Sequence, residues 1–196
     1  MFPQAVSLTS APEEKPVSLD EAKQHLRILR DKEDDLIERL IATATADVEG
    51  RAGMTGRALI TQSWEARFNC WPETGKALEL PYPPLKEVTS VKYLDTDGVE
   101  QTLDASVYEV DTLAVPGEVR LAMDQSWPDI ADRPGAVRVA FDAGYGAGPE
   151  DVPEPIRQAI LLIVGEFYQN RDLAEDPAAR MRAVPRLLAR FRLPAI

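Results

Sequence analysis

The 196-residue chain carries 33 acidic against 22 basic residues, a net charge of -11, and is 44% hydrophobic, enough for one sizeable core or two small ones. One cysteine, Cys70, excludes an internal disulfide, and one histidine, His25, leaves no zinc site built from His and Cys. The longest apolar run, Ala159 to Val164, is far too short to span a membrane, and MFPQAVSLTSAPEEKP lacks the basic start and apolar core of a signal peptide, so a soluble protein in a reducing compartment is expected.

Residues 1–16 hold three prolines and no periodicity and read as an extended arm. Ser18 and Glu21 in VSLDEAKQHLRIL form a capping-box pattern that predicts a short helix. The acidic turn Asp31 to Asp35 favours a second helix start. Leu36, Leu40, Ile41, Ala44 and Val48 then recur at helical spacing up to Gly50 and Gly53, giving an antiparallel helix pair.

From Leu59 to Phe141 the pattern turns to β. Ile60, Trp64, Ala66 and Phe68 share one face of a strand. Leu78, Leu80 and Tyr82 share one face of the next, which runs into Pro81, Pro83 and Pro84. Asp97-Gly98 after Val91 and Tyr93 predicts a hairpin returning through Val99 to Leu103, because that turn demands positive φ. Further strands are expected at 107–111, 118–121 and 136–142, making a mostly antiparallel sheet or small barrel.

Gly144, Gly146 and Gly148 break the last strand and read as a hinge. Pro153 and Pro155 start a long helix with Ile156, Ile160, Ile163, Val164 and Phe167 on one face and Leu161, Leu162 and Tyr168 off it. A helix apolar on so many sides is expected to be covered more than once. The cover is either the chain's own domain or a neighbouring subunit, and for the latter Ile160, Leu161, Ile163, Val164, Phe167 and Tyr168 are the candidate interface.

From Arg180 onward the chain has five arginines and no acid, leaving 33 acids against 17 bases over the rest, a net charge of -16. An acidic body with a basic, apolar-studded tail suggests docking on another surface. The fold class is α+β. The N-terminal helix pair packs with the long C-terminal helix, a β module is inserted between them, and a tail extends beyond. The expected boundaries are an arm at 1–16, a discontinuous helical part at 17–55 plus 150–175, the β module at 56–149 and the tail at 176–196.

Catalytic readings find little support. Asp34 beside Asp35 and Glu13 beside Glu14 point in different directions, and the former pair has the simpler role of starting a helix. Asp142 near Tyr145 forms no better acid–base set. His25 beside Leu26 and Leu29 reads as a partly buried structural histidine, and Cys70 as a small packed residue. GYGAG has neither the dinucleotide fingerprint nor the lysine and hydroxyl of a P-loop, and Glu150 and Asp151 would repel phosphate. Trp64, Trp71 and Trp127 read as core or interface anchors rather than sugar platforms. No enzyme, metal or cofactor is expected.

Taken in order and spacing, VSLDEAKQHLRI, LPYPPLKEVTSVKYLDTDG, and VAFDAGYG followed by VPEPIRQAILLIVGEFYQNRD resemble the tailed-phage head-tail connector proteins. These are also called adaptor or head-completion proteins and occur in phage-derived gene transfer agents as well. The resemblance spans residues 17–172. It implies a non-enzymatic ring, commonly of twelve subunits, between the portal protein and a stopper or tail-completion protein. DNA would pass through the channel without sequence-specific binding, and no membrane would be involved. The C-terminal tail would reach the portal, which assigns docking to Arg186, Leu187, Leu188, Phe191, Arg192 and Leu193. The implied location is the cytoplasm during assembly, then the head-tail junction of the particle. Acidic charge beside such a channel would keep the polyphosphate from sticking. The other reading is a soluble carbohydrate- or peptide-binding β module with a helical oligomerisation stem.

Overall fold

The fold was described from a computed structural model, for residues 1–170 and 183–193. The chain divides into two units, Met1–Pro12 with Thr61–Tyr145, and Glu13–Ile60 with Gly146–Ile196.

The first unit is β. A five-stranded antiparallel sheet runs in the order β1-β2-β8-β4-β5, built from β1 (Ala5–Ser10), β2 (Gln62–Phe68), β4 (Leu85–Leu94), β5 (Glu100–Thr102) and β8 (Val137–Ala143). The alternation that marks β8 in sequence is realised fully, with Val137, Val139, Phe141 and Ala143 buried and the residues between them half-exposed. β8 lies at the centre, with Ala66 opposite Val139 on one side and Val91 opposite Val139 on the other. A second antiparallel sheet, β3-β7-β6, joins β3 (Leu78–Leu80), β6 (Tyr108–Asp111) and β7 (Gly117–Leu121) around buried Leu78, Leu80 and Val119.

Several details depart from the sequence reading. The extended arm contains β1, which pairs Ala5 with Arg67 through Leu8 with Trp64 at the sheet edge. Ile60 lies outside β2; it is buried in the other unit and forms a parallel bridge to Gly146. Tyr82 leaves the β3 face because its backbone adopts φ 63°. At the hairpin only Gly98 has positive φ, 78°. The Asp95 carboxylate caps that loop by accepting the amides of Asp97 and Val99 at 3.1 and 2.9 Å.

The second unit is helical, with α1 (Leu19–Leu26), α2 (Asp34–Val48), α3 (Glu154–Gln169) and α4 (Ala183–Leu188) among the described residues. The Ser18 capping box is formed: its hydroxyl accepts the Glu21 amide at 3.2 Å and the Glu21 carboxylate accepts the Ser18 amide at 3.1 Å. The α2 stripe runs through Ile37, Ile41, Ala44 and Val48; Leu36 and Leu40 are half-exposed on its flank. α3 packs against α1, α2 and α4, so Ile156, Ala159, Ile160, Ile163 and Val164 are all fully buried.

Candidate assembly surfaces

The predicted interface on α3 separates into two groups. Ile160, Ile163 and Val164 are completely buried and Leu161 nearly so, which corrects their assignment to a subunit contact: α1, α2 and α4 already cover them. Phe167 and Tyr168 remain half-exposed, together with Leu162, which the prediction omitted. Tyr168 donates its hydroxyl to Glu33 at 2.7 Å. Polar ties fix α3 further. The Arg157 guanidinium, 19% exposed, pairs with Glu21 and, at 3.2 Å, with Glu154, so one cation joins the first turns of α1 and α3.

The glycines predicted as a hinge lie at the division between the units. Gly144 adopts φ 139° and donates its amide to Pro84 at 2.9 Å. Gly146 has no room for a side chain, because a Cβ there would fall inside the Asp151 carboxylate. That carboxylate also accepts the Gly148 amide at 3.2 Å, which makes this loop a close-packed turn.

The predicted docking tail begins as a folded element. Leu188 is buried with Val184, so it belongs to the core and not to a docking surface, since α4 packs on α3. Leu187, Phe191 and Leu193 are half-buried. The backbone is tied down by Arg57 Nε donating to the Phe191 carbonyl at 2.7 Å and by the Leu193 amide donating to Thr55 at 3.2 Å. The exposed charged residues are Arg186, Arg190 and Arg192, with the Arg190 guanidinium 4.8 Å from the Phe191 ring. Arg180 and Arg182 lie outside the described residues.

The remaining candidates offer little chemistry. His25 is exposed, contrary to the partly buried reading. It lines a cavity with Gly165. Cys70 is also exposed rather than packed, because it follows the last residue of β2 in a surface bend. Trp71 and Trp127 stack on each other at 4.4 Å, with Trp71 Nε1 donating to Pro128 at 2.9 Å, so each indole covers a face of the other. Among the described residues, no group of three His, Cys, Asp or Glu is placed to hold a metal ion, and no helix is long and apolar enough to cross a membrane.

Charge at the base of the loop following α1 is organised by Lys23, which sits 2.7 Å from both Asp31 and Asp34. Its hydrogen bond to Asp31 raises the Lys23 pKa, and the same bond lowers that of Asp31. Leu29, within this loop, is 97% exposed and flanked by Arg27 and Arg30. The sequence places Leu29 with Leu26 beside a partly buried His25, but α1 ends at Leu26 and Leu29 stands out in the loop.

Two antiparallel sheets and a discontinuous helical unit make this an α+β fold. Its fold matches a chain from the virion of a native gene transfer agent (GTA) particle, with a TM-score of 0.77 and 24% identity, covering 98% of this chain and 97% of that one. A chain from the neck of an empty GTA particle with C6 symmetry matches at a TM-score of 0.78 and 24% identity, with the same coverage of both chains. A chain from the neck of a native GTA particle with C12 symmetry matches at 0.73 and 23% identity, again over 98% and 97%. Residues 16–75, which contain the capped α1, α2 and the start of the β unit, match the family of phage gp6-like head-tail connector proteins. The head-tail connector resemblance read from sequence motifs thus meets a family match in the N-terminal part and a shared fold along almost the whole chain. No curated protein matches in a sequence comparison.

Proposed function

We propose that this chain is a non-enzymatic structural adaptor of a phage-like particle. It assembles into a ring, of twelve copies in the particle, that joins the portal to the stopper or tail and continues the DNA channel. The observation that carries the reading is the fold shared with GTA neck chains over 98% of the sequence; the connector-family match at residues 16–75 supports it independently. The C12 symmetry of one such neck favours twelve subunits. In this reading the β module comprises Met1–Pro12 with Thr61–Tyr145, the helical part the remainder, and the chain moves from the cytoplasm to the head-tail junction. Portal docking falls to the exposed arginines Arg186 and Arg192 with half-buried Leu187, Phe191 and Leu193, and acidic surface beside the channel repels DNA.

The test is to mix the full chain with purified portal rings from the same particle and image the product by electron microscopy. A layer of added density beneath the portal, lost on removal of residues 184–196, is expected. A chain that stays unattached, in particles that keep their DNA and tails when its gene is deleted, would refute the reading.

A further inference from the structure

The helical unit carries a protruding apolar side chain and a cavity of mixed apolar and polar lining. The protrusion is Leu29. α1 ends at Arg27 in a left-handed turn with φ 58°, where the Arg27 amide donates to Gln24 at 3.1 Å and the Ile28 amide to Lys23 at 2.9 Å. The Lys23 ion pairs to Asp31 and Asp34 close the loop at its base, so Leu29 is held outward by a capped and charge-pinned turn. A fully exposed leucine on such a loop is a ready-made contact.

The cavity, of about 210 Å³, has Leu162, Gly165, Ala183 and Val184 in its lining, with His25, Glu166 and Gln169 as its polar members. It is roomy for an isobutyl group, given that cavities of about 150 Å³ take up benzene. Gly165 keeps it open from the α3 side; an added Cβ there would meet the His25 ring at 3.5 Å. Its rim carries the Glu166 carboxylate, which accepts the Asn170 amide at 2.9 Å. The cations flanking Leu29 are Arg27 and Arg30, while the nearest acid in sequence, Asp31, is paired with Lys23. The charges of protrusion and rim are therefore complementary.

We infer that Leu29 of one copy of this chain seats in the cavity between α3 and α4 of a second copy, with Arg27 and Arg30 facing Glu166. His25 lies about 140° around α1 from Asp20 at 100° per residue, and Asp20 lies on the Leu29 side of the helix. Protrusion and cavity thus occupy different faces of α1. A contact between two different surfaces of one chain is heterologous, and by repetition it generates a ring when the rotation closes. The inference rests on the ring assembly of the proposed function and names its contact.

The experiment uses two full-length, differently tagged proteins, both with Cys70→Ser to remove the exposed native thiol. One carries Leu29→Cys and the other Leu162→Cys, or Ala183→Cys if Leu162→Cys lowers stability. After mixing and oxidation with diamide, the covalent heterodimer is expected at least tenfold above the yield from a Leu113→Cys and Leu162→Cys mixture, since Leu113 is an exposed residue of the β unit. Glu166→Arg should lower self-association at least tenfold, and Arg27→Glu with Arg30→Glu should restore it. A heterodimer yield equal to that control, or a chain monomeric at its solubility limit, overturns the inference. Portal binding without this cross-link defeats the contact but not the adaptor reading; the cross-link without portal binding does the reverse.

Discussion

Replacing Ile163 by alanine tests most directly whether α3 is a core helix or a subunit contact. Ile163 is fully buried in the single chain, whereas its neighbour Leu162 is half-exposed. The substitution removes three carbons, about 2.4 kcal/mol at roughly 0.8 kcal/mol per buried methylene, and leaves a cavity between α3 and the helices packed on it. The total loss is expected at about 3–4 kcal/mol, within the range of about 2–5 for such truncations. For a chain of this length that corresponds to a melting temperature lower by about 6–16 °C. Leu162→Ala should cost about 1 kcal/mol or less, because its side chain already meets solvent. Urea unfolding of the unassembled protein, followed by far-UV circular dichroism with the slope held constant, measures both. Equal effects of the two variants, or an Ile163→Ala penalty seen only in assembled rings, would refute the assignment of Ile163 to the protomer core.

Two other perturbations probe the local geometry. Gly146→Ala should destabilise by about 1–3 kcal/mol because its Cβ would displace Asp151, and Asp151→Ala in the same chain should recover part of that loss in a melting experiment. The pH profile of melting should be flat, as far as these groups are concerned, from about pH 5 to about pH 9.5. Below it, stability falls as protons reach Asp31, Asp95, Glu100 and Asp104, held below their ordinary values first by Lys23, Gln101, Lys92 and Ser106 respectively; their contributions are present above the ordinary carboxylate range and lost through the depressed pKa. Above it, the contributions of Lys23, raised by Asp31, and Tyr108, raised by burial and then by Asp104, are lost as pH climbs through their elevated values. Lys23→Met should flatten part of the alkaline limb, and an unchanged limb would contradict its role.

Elements governed by local chemistry were legible in the sequence. The Ser18–Glu21 box, the Pro153 start of α3 and the strict alternation of β8 each follow from contacts within a few residues or from one buried sheet face. Those decided by distant partners were not. β1 is exposed at nearly every position and owes its existence to pairing with β2 some sixty residues later. Leu36 and Leu40 looked like the α2 stripe, but Ile37 took the buried position, because leucines on a flank are indistinguishable from core in a local pattern. The surplus of apolar residues on α3 fits cover by its own domain and cover by a neighbouring subunit equally well. Three helices of its own unit cover Ile156, Ile160, Ile163 and Val164, a fact that depends on the number of packed elements and not on α3 itself.

The division of the chain has a consequence for how it folds. α1 and α2 leave the ribosome with Ile37, Ile41 and Val48 unprotected, and the helix that covers them, α3, follows only after residues 61–145. The β unit, complete by Tyr145 once β8 has entered between β2 and β4, can close while the helical unit still lacks its central member. Synthesis therefore runs N to C, but completion runs from the middle outward. The nascent helix pair is the stretch most exposed to misassembly until Gly146 has passed and α3 docks.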